Sequence, residues 1–235
     1  MMPSATLNLT HIQYTQLTPT TWCATAQVGD MIHNQRQQQR KGVRLLLQQL
    51  LGQLKINDTL DESAFPYRLI DNQYYVCFSH TGAKNKDVIN NNVINNNVLD
   101  NNDIKNNAGQ AARQPLVNTV AVIMSCDYPV GIDIENNDVT WHVAQRFYSA
   151  NEIAAIQALP MTQRPIVTKL LWQIKESFIK IRQYKLTQGL GVDYSYLIAA
   201  LLNAIKEPSP FIIIADVRSH YHIAVLPSQQ TIAIF

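Results

Sequence analysis

Between Lys84 and Asn107 the chain stops resembling anything that packs: 11 of these 24 residues are Asn, and VINNN, VINNN, VLDNN and DIKNN follow one another with a period of five. A tract of this kind buries too little apolar surface to offset the entropy of ordering it. Four short repeats without caps would also make a poor solenoid. The stretch at about 84–114 is therefore expected to be a low-complexity surface insertion. Whatever core the chain forms must come from the patterned stretches on either side.

Upstream, Val43, Leu46, Leu47, Leu50, Leu51 and Leu54 recur at spacings of three and four, which predicts a half-buried helix from Gln35 to Leu54. Tyr67–His80 is rich in aromatic and β-branched residues around Asp71-Asn72, which predicts a hairpin. Downstream, Thr119–Ser125 and Val130–Glu135 read as two strands of a mid-chain hairpin joined by Asp127-Tyr128-Pro129. Ser149 and Glu152 form the Ser-x-x-Glu box of a helix start. A longer helix follows from Thr162 to about Arg182, with Pro165 in its first turn and Val167, Leu170, Leu171, Ile174, Phe178 and Ile181 as its apolar stripe. Gln188–Gly191 reads as a loop. The span from Tyr194 to Ile205 is too evenly apolar to assign by period, and Phe211–Val217, Tyr221–Leu226 and Thr231–Phe235 read as antiparallel strands. Helix-then-strands order on both sides argues for an α+β protein.

Charge and cysteine usage narrow the function classes. Asn and Gln, 20 and 21 residues, outnumber all charged side chains, and the formal net charge is only +2. Nothing there calls for nucleic acid or an anionic membrane, so any anion site must be local. Cys23, Cys77 and Cys126 are too widely spaced for a disulfide framework or a zinc CxxC pair. With neither a signal-peptide pattern at the start nor a run of roughly 20 apolar residues, a soluble, cytoplasmic protein is expected.

The chemistry-bearing residues fall in three places. In Gly131-Ile-Asp-Ile-Glu135 the strand period sends Ile132 and Ile134 to the core and Asp133 and Glu135 to the other face. Two such carboxylates either bracket a hard cation such as Mg²⁺ or form a solvated acidic face. Trp172, Glu176 and Lys180 share one helix face at i, i+4 and i+8, either as an ordinary surface Glu/Lys pair or as a working polar stripe. Arg36, Arg40, Lys41 and Arg44 crowd a helix start, where the macrodipole disfavours cations unless an anion is bound. Ser79-His80 at a strand end could hold a phosphate or simply cap a turn. P-loop, GxGxxG and GxSxG motifs are absent.

Taken in order, Gly131-Ile-Asp-Ile-Glu135, Arg146-Phe-Tyr-Ser149 with Glu152, and Trp172-Gln-Ile-Lys-Glu-Ser-Phe-Ile-Lys180 resemble the Sfp-type 4′-phosphopantetheinyl transferases. Ser79-His80-Thr81-Gly82 resembles the family's Ser-His-Ser-Gly turn, and Arg44 a family arginine at the coenzyme A site. The resemblance implies two similar α+β halves, 1–125 and 126–235, related by pseudo-two-fold symmetry with the cofactor in the cleft between them, in a monomer. It implies Mg²⁺-dependent transfer of 4′-phosphopantetheine from coenzyme A to a serine of an acyl or peptidyl carrier protein, releasing adenosine 3′,5′-bisphosphate. By the same resemblance Asp133, Glu135 and Glu176 are metal ligands, and Glu176 and Lys180 are catalytic. Arg44, Ser79 and His80 would hold the 3′-phosphate, with Arg40 and Lys41 as looser contacts. Lys175 would reach a phosphate, although its helix position is turned about 100° from Glu176.

Two departures stand out. Phe65-Pro66-Tyr67-Arg68 replaces the family's Gly-Lys-Pro loop, leaving Arg68 as the cation there, and Cys77 stands where the family has Asn or a similar residue. Two other readings of the same residues are a Mg²⁺-dependent nucleotide hydrolase and a non-enzymatic coenzyme A or carrier-protein binding module.

Overall fold

The computed structural model describes residues 7–29, 35–81 and 118–235. The Asn-rich insertion expected at about 84–114 lies outside the described residues. In chain order the elements are β1 (Leu9–Thr18), β2 (Thr21–Val28), α1 (Gln35–Leu54), β3 (Leu60–Asp61), β4 (Tyr67–Leu69), β5 (Tyr75–Thr81) and β6 (Asn118–Ser125). There follow β7 (Gly131–Ile134), α2 (Trp141–Phe147), α3 (Ala150–Gln157), α4 (Arg164–Arg182), α5 (Leu186–Leu190), a 3-10 turn at Ser195–Leu197, α6 (Ile198–Ala204), β8 (Ile212–Asp216), β9 (Tyr221–Leu226) and β10 (Thr231–Ile234).

The strands form two antiparallel sheets, one in the order β1-β2-β6-β5-β4-β3 and the other β7-β10-β9-β8. Strand alternation sorts three cores. On β6, Val120, Val122 and Met124 turn to α1, whose Val43, Leu46, Leu47, Leu50 and Leu51 cover that sheet. Ala121 and Ile123 turn the other way and meet Ile132, Ile134, Ala224 and Ala233 of the second sheet. Ile223, Val225, Ile232 and Ile234 pack under Leu171, Ile174 and Phe178 of α4. The result is a helix, two stacked sheets and a helical layer. Small residues at the sheet-to-sheet contact let the two sheets approach closely. This is the expected α+β class, with one long helix on the outer face of each sheet.

The helix at Gln35–Leu54, the β4–β5 hairpin and the three closing strands stand where the periodicity predicts them. The capping box is complete: Ser149 accepts from the Glu152 N–H, and Glu152 accepts from the Ser149 N–H. Two readings need correction, and two stretches are assigned for the first time. β6 and β7 do not form a hairpin, because β7 pairs with β10 and β6 with β2 and β5. Both faces of each are buried, so the apolar pattern gives no sign that the chain changes sheets between them. Residues 186–190 form a short helix where a loop is expected. The unassigned apolar span is a 3-10 turn leading into α6. β1 and β2 carry no clear alternation; in β1 most side chains are exposed or half-exposed at the sheet margin.

Candidate active site

The site begins where β7 meets α4. β7 is the edge strand of its sheet, with its unpaired side against β5. A Cβ at Gly131 would run into the backbone carbonyl of Ser177, so only glycine lets helix and strand approach this closely. Ser177 is itself fully buried, and its hydroxyl is the one buried side-chain polar atom among the described residues without a partner. Gln173 locks the same contact by donating to the Asp133 and Gln230 carbonyls, at 3.3 and 2.6 Å.

Ile132 and Ile134 turn inward as expected, which aims Asp133 at α4 rather than at open water. Asp133 is only 8% exposed. Its Oδ1 accepts from Lys180 Nζ at 3.0 Å and from the Ser79 hydroxyl at 2.9 Å. The outward groups of β7 are also taken up: Lys180 donates to the Ile132 carbonyl at 2.7 Å, and the Ile134 N–H donates to Ser79 at 3.2 Å. Glu135, just past the strand, accepts from the Thr81 hydroxyl at 3.1 Å and from the Asn137 N–H at 2.8 Å. The reading of these acids as a solvated face is therefore excluded for Asp133.

Electrostatics couples the acids. Burial pushes the Glu176 carboxyl up, Asp133 and Glu135 push it further, and Lys180 opposes them. Asp133 is raised by burial and Glu135, against the pull of Lys180 and Ser79. Burial works against the charge on Lys180, but Asp133, Cys77 and Glu176 outweigh it and its pKa is raised. Three carboxylates that repel one another on a partly dry surface, all with oxygen donors, fit a hard divalent cation. Among the described residues no three His, Cys, Asp or Glu side chains converge as a ready ligand cluster. Lys180 and Ser79 occupy one oxygen of Asp133, and Thr81 and Asn137 one of Glu135.

A basic rim lies on the α1 side. His80 alternates with Ser79 and so faces α1; burial and the charges of Lys180, Arg36 and Arg40 hold its imidazole below the usual value. Arg40 and Lys41 are exposed. Arg44 is not open in the same way: its Nε donates to Glu62 at 2.9 Å, Nη2 pairs with the other Glu62 oxygen, and Nη1 donates to the Arg40 carbonyl. Arg68 stacks on the Tyr75 ring at 4.2 Å and donates to its hydroxyl. Trp172 packs edge-on against Phe147 at 6.3 Å and borders the helical core, which accounts for an indole on a polar stripe.

Lys175 is the clearest departure from expectation. It is fully buried on the side of α4 away from β7, paired with Glu152 at 2.9 Å and donating to the Val192 carbonyl. A phosphate contact from this ammonium is ruled out by that placement. The capping box points to Glu152, but nothing local reveals that its other oxygen serves Tyr194 and Lys175. Thr81 and Gln173 lie inside the Ser79–Gly82 and Trp172–Lys180 motifs, but nothing in the sequence singles them out as site residues.

A family model for the 4′-phosphopantetheinyl transferase superfamily matches residues 129–234. The 4′-phosphopantetheinyl transferase psf-1 of Bacillus pumilus is 37% identical over 66 residues, which is 28% of this chain and 28% of that protein's length. No helix among the described residues is long and apolar enough to cross a membrane. Over residues 129–234, the segment that carries Asp133, Glu135, Glu176 and Lys180, the chain is similar to the 4′-phosphopantetheinyl transferase superfamily.

Proposed function

We propose that the chain transfers 4′-phosphopantetheine from coenzyme A to a serine of an acyl or peptidyl carrier protein, with Mg²⁺ and release of adenosine 3′,5′-bisphosphate. The observation that carries this reading is the face of α4: Glu176 and Lys180 stand one turn apart opposite Asp133, a base and a fixed cation beside a metal-type carboxylate.

Asp133, Glu135 and Glu176 would hold the Mg²⁺, which when bound neutralises pyrophosphate oxygens where the P–O bond breaks. Glu176 would also take the carrier serine proton at its carboxylate oxygen. Against the cost of burial, Asp133 chiefly raises the pKa of Lys180, which would supply positive charge toward the departing bisphosphate. Ser79 and Gln173 fix the strand and carboxylate around which these groups are arranged. Arg40, Lys41 and His80 supply a basic rim for the 3′-phosphate, and Arg44 joins it on exchanging Glu62 for the phosphate.

The test is intact-protein mass spectrometry of an apo carrier protein incubated with this protein, coenzyme A and Mg²⁺, beside an EDTA control. The expected result is a mass gain of one phosphopantetheine that disappears with EDTA. No gain on either acyl or peptidyl carriers would overturn the proposal.

A further inference from the structure

We infer that the buried Lys175–Glu152 pair is a positioning device that fixes the rotation of α4 and thereby aims Glu176 and Lys180 at β7; the inference rests on the reading of that face as catalytic. Both side chains are fully excluded from solvent, with Nζ and Oε1 2.9 Å apart. Every polar group of the pair is engaged. Glu152 Oε2 accepts from the Ser149 N–H at 2.8 Å and Oε1 from the Tyr194 N–H at 3.0 Å. Lys175 donates to the Val192 carbonyl and lies over the rings of Tyr148 and Tyr194, at 5.0 and 5.3 Å. One pair thus ties the start of α3, the middle of α4 and the 192–194 segment together.

Packing alone does not explain the choice of residues. A buried ion pair loses much of its attraction to desolvation, and apolar side chains of similar volume commonly serve stability as well or better. What the pair supplies instead is direction. Lys175 precedes Glu176, and consecutive helix positions are separated by about 100°. Pulling Lys175 toward Glu152 on one side therefore sets the angle at which Glu176 leaves on the other. The opposite flank of the helix is fixed by the Gly131–Ser177 approach, so α4 is held from two sides of the working face.

The test uses the full chain with Lys175→Met/Glu152→Leu, which replaces the pair by apolar bulk, and the milder Glu152→Gln. The expected result is a melting temperature close to that of the parent and an unchanged KM for coenzyme A. The kcat falls by about tenfold to a hundredfold, the scale of a catalytic group misplaced by an ångström. A second readout does not need turnover: a crystal structure of each variant should show the Glu176 carboxylate displaced from its place opposite Asp133 with the core unchanged. Unchanged kcat with Glu176 in its parental place would overturn the inference, as would unfolding of both variants, which assigns the pair to stability. If the parent protein transfers nothing yet Glu176 is displaced in the variants, the positioning role stands and the transferase reading fails.

Discussion

The Ser79 hydroxyl of β5 donates to Asp133 of β7 across 2.9 Å and accepts the neighbouring Ile134 N–H. These two strands belong to different sheets, and this hydroxyl is where the polar edge of one is satisfied by a side chain of the other. A small oxygen at this point joins the two sheets and holds an acid of the candidate site in the same contact.

Ser79→Ala removes both bonds and leaves the Ile134 N–H buried without its partner. Such a loss costs about 1–3 kcal/mol. The expected outcome is a lower denaturation midpoint in urea with an unchanged slope, read by circular dichroism. A midpoint equal to that of the parent would show that the sheet edge has another partner.

Gly131 and Ser177 offer an internal contrast. Gly131→Ala places a methyl group against the Ser177 carbonyl, so β7 and α4 must separate, at a cost of about 1–3 kcal/mol or more. Ser177→Ala, three and a half turns along α4 from its start, removes a hydroxyl that has no partner and should be neutral or slightly stabilising. Thermal melting of the two variants checks the pair. Equal destabilisation by both would mean that Ser177 contributes something beyond its small size.

Much of this was legible because it is periodic. The apolar stripes of α1 and α4 and the alternation at Ile132 and Ile134 name the buried faces directly, and Glu176 and Lys180 follow from i, i+4 spacing. The pairing of Lys175 is not legible, because its partner lies on another element: periodicity gives its side of the helix, but not Glu152 waiting there. Arg44 is legible as a cation on α1, but its pairing with Glu62, 18 residues on, is not, because it exists only once the chain after α1 has folded back. The break between β6 and β7 left no mark because strands buried on both faces look alike whether they pair or part.

Glu176→Gln tests the acid site through pH. A carboxyl raised on folding is most favourable while protonated, so its contribution to stability is present below the ordinary value of 4.5 and is lost as pH rises through the raised folded value. The variant is free of that loss. It should therefore melt higher than the parent at neutral pH, with the difference shrinking on acidification below the ordinary carboxyl range. Turnover should fall by about a hundredfold or more with coenzyme A binding retained, which isothermal calorimetry can follow. A parent and variant whose melting curves respond identically to pH would remove the carboxylate repulsion from the argument.

Mg²⁺ should stabilise the protein even before any substrate is added, because it relieves repulsion among Asp133, Glu135 and Glu176. A ligand bound only by the folded state contributes about 2.7 kcal/mol at a hundred times its dissociation constant. The parent should melt at a higher temperature in Mg²⁺ than in EDTA, and Asp133→Asn should lose most of that increment. Lys180→Met makes the sharper case. Lys180 now neutralises Asp133 from 3.0 Å. Without it the three acids have lost their nearest cation, so this variant should be the least stable in EDTA and gain the most from Mg²⁺. If its increment were no larger than that of the parent, the metal would have to bind away from Asp133, and the assignment of that residue as a ligand would fall.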